Sequence, residues 1–272
     1  MIPKIIHYCW FGKGNKPEIF KKCLQSWKKY APDYEIVEWN ESNFDIDKFS
    51  FAKEAYECKK YAFVSDIARL SVVYECGGIY LDTDVELTSN IDNFLNDDCF
   101  LFFQNVVQIA TGLGFGAIKH HQILGKMLDD YKERHFTLEE MASVTCPKLN
   151  TDVLRHELPT LSINNTTQLI DGIHCYSSQV YDSCAIHHDQ FSWMNEEHKK
   201  ALRYARKTPP NRKILKYFRN PKIFDWFDKH HMRRFKKLYL FAVYDFVEYG
   251  AVYWGYKIIH RIGKKKKGVR HN

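Results

Sequence analysis

One stretch constrains this chain more than any other: Gly77-Gly78-Ile79-Tyr80-Leu81-Asp82-Thr83-Asp84-Val85. An apolar, aromatic run leaves a glycine pair and ends in two aspartates one residue apart. The glycines allow a sharp change of direction, and the run that follows has strand character. Carboxylates at the end of such a strand converge on space outside the sheet. They suit a hard divalent cation shared with a diphosphate. Glu86 adds a third acid, and three carboxylates this close repel one another unless a cation or protons intervene.

The rest of the chain supplies a sheet for that strand. Lys4–Trp10 is apolar and strand-like, Phe11–Asn15 is a glycine-rich loop, and Pro17 suits the first turn of a helix running to Tyr30. Ala31-Pro32-Asp33 ends the helix, and Tyr34–Trp39 alternates as a second strand. A strand–helix–strand opening predicts a parallel sheet. The pattern over Phe51–Cys76 is helical, as two helices, the second over Val64–Tyr74 with Ile67, Leu70, Val73 and Tyr74 on one face. Cys99–Gln104, Gly112–Ile118 and Asp171–Tyr176 read as further strands, the second with close backbone approaches at its glycines. Gln122–Arg134 reads as a helix and Val153–Leu158 as a short one. Ala185–His188 reads as a strand end leading to Ser192-Trp193.

Two other groups of residues can carry chemistry. Asp66 and Arg69 stand three apart on the second helix and share a face. They are either an exposed ion pair of little worth or part of the pocket reached by the glycine turn. His187 and His188 close a strand. Adjacent strand residues point to opposite faces, so one imidazole can complete a cation's shell while the other is structural. Nitrogen beside carboxylate oxygen suits Mn²⁺ better than Ca²⁺. Trp10, near the end of the first strand, is either core or a platform for a nucleobase. The eight cysteines are scattered without a CxxC pair. That spacing does not suit a structural zinc site, and reduced, mostly buried thiols in a cytoplasmic protein are expected.

These motifs, in this order, resemble glycosyltransferase family 32: IPKIIHYCWFG, AFVSDIARL, YxxGGIYLDTDV, TCP and AIHHxxxSW. The group includes bacterial capsule and lipopolysaccharide sugar transferases and the yeast initiating α-1,6-mannosyltransferase. It is similar to the catalytic domain of clostridial glucosylating toxins. The resemblance covers Ile2 to Trp193. It implies a GT-A nucleotide-sugar-binding fold, α/β with a central mostly parallel sheet, a nucleotide-sugar donor and a Mn²⁺ or Mg²⁺ ion. It further implies that Trp10 stacks on the base, that Asp66 and Arg69 hold the donor sugar, and that Tyr80 lies near the nucleotide. Asp82 would contact ribose and sugar, and Asp84 would be the main metal ligand. His188 would be a metal ligand, with His187 as the alternate, and Ser192 and Trp193 would touch the diphosphate. Cys146 and Phe191 depart from the family, where many members carry glycine and a small residue.

Charge divides the chain. From Arg203 onward there are twenty Lys and Arg against four Asp and Glu, while the whole chain carries +7. Residues 1–202 are therefore expected to be the catalytic domain. Residues 203–272 are expected to be a basic, aromatic-rich helical extension on an anionic membrane surface. No recognised nucleic-acid module is visible, so nucleic acid is not the expected partner. The expected protein is cytoplasmic and peripheral at the inner face of the cell membrane. It is a metal-dependent retaining glycosyltransferase (a hexosyl- or N-acetylhexosaminyltransferase). The donor would be a UDP-sugar and the acceptor a polysaccharide or lipid-linked oligosaccharide. A GDP-mannose-dependent mannosyltransferase is the alternative. A metal-dependent phosphohydrolase or a non-catalytic membrane- or sugar-binding protein fits less well.

Overall fold

The computed structural model of the protein describes residues 1–141 and 143–188. Ser192, Trp193, the division at 202/203 and the basic extension lie outside the described residues. The chain opens as β1 (Ile5–Cys9), α1 (Glu18–Tyr30) and β2 (Glu35–Trp39). β1 and β2 pair in parallel, from Ile5 opposite Glu35 to Cys9 opposite Trp39. Two helices follow, α2 (Ser50–Glu57) and α3 (Tyr61–Cys76). α3 begins three residues before the sequence expectation because Phe63 is already in the core. From Phe63 to Val73 it is buried on nearly every side, the mark of a helix inside a domain. Asp66 and Arg69 ride on that helix into the interior, where polar groups need partners.

Gly77 ends α3, its N–H donating to the Val73 carbonyl at 2.8 Å. Gly77 and Gly78 have φ of +69° and +108°, a region that favours glycine. Space forbids a side chain as well: a Cβ on Gly78 would lie 2.9 Å from His7 Nε2 and from the Ile5 carbonyl. The chain then enters β3 (Gly78–Tyr80), parallel to β1. His7 ties three strands together. The Trp39 indole donates to His7 Nδ1 at 3.0 Å. Nε2 therefore carries the proton and donates to the Gly77 carbonyl at 2.8 Å.

The two aspartates do not lie on one continuous strand, as the sequence pattern suggested. β3 stops at Tyr80, and Val85 N–H donates to the Asp82 carbonyl at 2.9 Å, closing a turn. β4 (Val85–Leu87) then leaves the main sheet. The chain continues through β5 (Cys99–Asn105), β6 (Gln108–Ile109), β7 (Phe115–Ala117), α4 (Gln122–Lys132), α5 (Cys146–Glu157), β8 (Gln168–Ile170), β9 (Ile173–Tyr176), α6 (Ser178–Cys184) and β10 (Ala185–His187).

The main sheet has the order β2-β1-β3-β7-β5-β9-β8, with β6 on β5. The pairings make β1, β2, β3, β5 and β9 run one way and β6, β7 and β8 the other. The sheet is thus mostly parallel, with β7 inserted antiparallel at its centre. Strand alternation divides the core. Tyr80, Leu101, Phe103 and Phe115 pack with α3 and α4 on one face. Ile79, Phe100 and Phe102 pack with Phe20, Cys23 and Trp27 of α1 on the other. β4 and β10 form a separate antiparallel ribbon. Among the described residues, no helix is long and apolar enough to cross a membrane.

Candidate active site

Parallel strands place their carboxyl ends on one rim, the usual location of ligands in open α/β sheets. β1 delivers Trp10 there, β2 delivers Asn40 and Glu41, and β3 delivers Asp82 and Asp84. α3 rises behind that rim and supplies Asp66 and Arg69.

Arg69 is the hub. Its Nη2 lies 3.0 Å from Asp66 Oδ1 and 3.2 Å from Asp82 Oδ1. Its Nε donates to the Ser65 carbonyl at 3.1 Å, and its guanidinium lies 4.9 Å from the centre of the Tyr80 ring. The Tyr80 hydroxyl donates to the same Asp82 oxygen at 2.7 Å. The Asp66 and Arg69 side chains are only 11% and 5% exposed, so the pair is interior rather than a solvated surface bridge.

Burial sets the electrostatics here. It pushes the Asp66 carboxyl up to about 7, with Arg69 pulling the other way and Asp82 adding to the rise. It also raises Asp82, against Arg69, and the neighbouring Asp84 charge adds to that rise. Burial disfavours charge on Arg69 too, but Asp82, Tyr80 and Asp66 outweigh it and hold the guanidinium firmly protonated. One buried cation thus serves two acids, and a third acid stands beside them. The carboxylates exceed the local positive charge, which is the condition under which a divalent cation binds well.

The donor set fits such an ion. Asp82, Asp84 and His187 each offer a ligand atom, and these atoms lie within 4.8 Å of one another. His187 Nε2 is 3.3 Å from Asp84 Oδ1. The sequence reading put His188 first as ligand and His187 second; the geometry reverses that order. In the β4–β10 ribbon, Ile186 is opposite Glu86 and His187 opposite Val85. His188 therefore falls on the face of Glu86, which it meets at 2.8 Å, and His187 on the other face.

Trp10 stands on the same rim. Its ring stacks on Phe20 at 6.2 Å and its indole donates to the Gly14 carbonyl at 2.9 Å. Among the described residues it makes no hydrogen bond or ring contact with the carboxylate cluster.

A second wall of the site is marked in the sequence only by Cys146 of the TCP motif. The loop between β6 and β7 brings Gly112 against the cluster: a Cβ there would sit 2.8 Å from Asp82 Oδ2 and 3.0 Å from Arg69 Nη1. At the start of α5, Cys146 Sγ lies 3.0 Å from Thr111 Oγ1 and 3.8 Å from Arg69 Nη1. Asn150 donates to Thr111 Oγ1 at 2.9 Å, and its buried Oδ1 has no hydrogen-bond partner among the described residues. Burial pushes the Cys146 thiol up to about 12, so it stays neutral. α5 is twice as long as its apolar pattern suggested, because Asn150 and Thr151 face inward to bond Thr111 and the backbone of Ile109.

With this geometry in hand, similarity to known proteins is informative. Residues 17–101 match the model of the glycosyltransferase sugar-binding region containing a DXD motif. Over that stretch the chain is similar to the sugar-binding region of DXD-containing glycosyltransferases, the class to which its motifs pointed. It is 28% identical over 125 residues to inositol phosphoceramide mannosyltransferase 2 of Schizosaccharomyces pombe, a match covering 44% of this chain and 36% of that protein. The match spans about a third of that relative. It is also 25% identical over 213 residues to an uncharacterized glycosyltransferase of Acanthamoeba polyphaga mimivirus, covering 71% of this chain and 83% of the relative. Among solved structures it is similar to the PaToxG glycosyltransferase, with 22% identity, a TM-score of 0.48, and coverage of 58% of this chain and 70% of that one.

Proposed function

We propose that this protein is a metal-dependent, retaining glycosyltransferase that moves one hexose or N-acetylhexosamine from a nucleotide sugar to a glycan or lipid-linked acceptor. The observation that carries this reading is the convergence of Asp82, Asp84 and His187 beside the buried Asp66–Arg69 pair on one strand-end rim. Breaking a sugar–diphosphate bond leaves negative charge on the departing phosphate. Asp84, Asp82 and His187 would hold a divalent cation, which would supply the stabilisation of that charge. Mn²⁺ suits two carboxylates and one imidazole, with Mg²⁺ the second choice.

The chain's own residues do the orienting. Arg69 fixes the carboxylates of Asp66 and Asp82, and these present acceptors to sugar and ribose hydroxyls. The buried Asn150 Oδ1 offers one more acceptor on the opposite wall. Trp10 stacks on the base. Ser192 and Trp193, outside the described residues, would meet the diphosphate. Among the described residues no paired carboxylate suggests a nucleophile, so acceptor attack from the leaving-group face is the retaining route.

The donor is a UDP-sugar in the first reading. The mannosyltransferase named among the relatives favours GDP-mannose as the second. Residues 1–202 would form the catalytic domain. Residues 203–272 would attach it peripherally to the inner face of the membrane, a reading supported by their basic and aromatic composition.

The test is nucleotide release by purified protein from a panel of UDP- and GDP-sugars with Mn²⁺, with and without chelator. One donor should give chelator-sensitive release, and Asp84→Ala should lower it by roughly 10²–10³-fold, the scale of losing a principal charge stabiliser. Absence of metal-dependent donor binding would overturn the reading.

A further inference from the structure

Glu86 is the third acid of the Asp82–Asp84–Glu86 run, yet the ligand atoms that gather within 4.8 Å are those of Asp82, Asp84 and His187. Its carboxylate turns the other way. Oε2 lies 2.7 Å from Lys22 Nζ and 2.8 Å from His188 Nε2. An ionised carboxylate only accepts, so His188 must donate through Nε2–H.

The consequence is mechanical. β4 is held from behind by α1: the Trp27 indole donates to the Val85 carbonyl at 2.8 Å, and Ser26 Oγ accepts from Leu87 N–H at 2.9 Å. β10 has only three residues and, among the described residues, pairs with β4 alone. At its end, His188 is caught twice. Its N–H donates to the Asp84 carbonyl at 2.9 Å and its ring is caught by Glu86. With His188 fixed on one face, alternation turns His187 to the other, where the Asp84 carboxylate, carried by the turn before β4, meets its Nε2 at 3.3 Å.

We infer that Glu86 is a positioning residue: through His188 it locks the end of β10 so that His187 presents its nitrogen to the cation site. This inference rests on the metal-dependent reading above. Outer partners that orient a ligand are typically worth about 10–100-fold in metal affinity.

The experiment uses the full chain. Mn²⁺ affinity is measured by electron paramagnetic resonance, and the nitrogen of a bound imidazole by its hyperfine modulation. Glu86→Gln and His188→Gln should each weaken Mn²⁺ roughly tenfold, and the double variant should be no worse than either single. The nitrogen signal should vanish in His187→Ala and fall in Glu86→Gln. His188→Gln keeps every carboxylate, so it separates positioning from loss of a nearby charge. It also carries the test where Glu86→Gln does not fold. Unchanged affinity and nitrogen signal in the variants would overturn the positioning role alone. Additive losses in the double variant would do the same, because Glu86 would then act independently of His188. Failure of the unmodified protein to bind Mn²⁺ would remove the metal centre and the positioning role together.

Discussion

Two groups of ionisable side chains flank the candidate metal site, and they are held by different physics. On the α3 side, Asp66 and Arg69 are interior with Asp82 at their edge, and burial dominates: Asp66 is pushed up to about 7 despite its guanidinium partner. On the ribbon side, half-buried Glu86 joins half-buried His188 to a Lys22 that is 57% exposed, and water screens that charge. In the interior, desolvation makes each charge dependent on the others. On the ribbon, hydrogen-bond direction matters more than charge. The same rim thus combines a stiff, costly wall with a cheap, adjustable one.

The comparison is sharpest at Arg69. Arg69→Met should strand Asp66 and Asp82, and breaking a buried pair from one side costs about 3–5 kcal/mol. Denaturant unfolding would read this directly. A loss under 1 kcal/mol would mean that the interior pair is solvated in solution and the contrast with the ribbon is unfounded.

Gly112→Ala comes next. The new methyl would press on Asp82 Oδ2 at 2.8 Å and Arg69 Nη1 at 3.0 Å. Overpacking of this kind costs about 1–3 kcal/mol. It should weaken Mn²⁺ binding as well, because Asp82 must move. Full stability with unchanged metal affinity would show that the loop yields and the wall is not stiff.

The third test is the pH dependence. Asp66 binds its proton more tightly folded than unfolded. Its contribution to stability is therefore complete below about 3.8 and is lost as pH rises through about 7. His7 runs the other way: burial lowers its pKa below 6.5, so its contribution is present above 6.5 and is lost as pH falls. Between those limits the two oppose each other. Asp66→Asn should reduce the decline toward neutral pH, of which the raised Asp82 keeps a share, and make the loss on the acid side more prominent. Unfolding midpoints from pH 4 to 8 would show it, and an unchanged profile would place Asp66 in a wetter setting than its 8% exposure implies.

Much of this was legible in the chain because the signals were local. Pro17, the Ala31-Pro32-Asp33 break and the alternating strand marked the opening unit, and the glycine pair marked the entry to β3. The adjacency of His187 and His188 already required them to face apart; which one faced the aspartates depended on the register with β4, and register is a long-range property. In the second wall Cys146 was marked by its place in the TCP motif, but Thr111, Gly112 and Asn150 beside it were illegible for the same reason. They come from a loop and a helix whose polar residues read as surface, and only tertiary packing turns them inward. The glycines of Gly112–Ile118 did carry a signal of close approach, realised at Asp82 for Gly112 and at Phe100 for Gly116. β8 and α6 left no periodic trace because they are short. The phosphohydrolase reading needed the aspartate pair on the first strand; here it follows β3, deep in the sheet order.

The ribbon that completes the rim joins Glu86 to His188 across 102 residues of chain. Closing so long a loop carries an entropic cost that a three-residue strand cannot offset before its platform exists. The interior wall, with Asp66, Arg69 and Asp82 spread over seventeen residues of sequence, forms with the core itself. In the proposed metal centre the third ligand, His187, arrives only when that ribbon has closed, so the cation would bind to a finished rim and not to a nascent one.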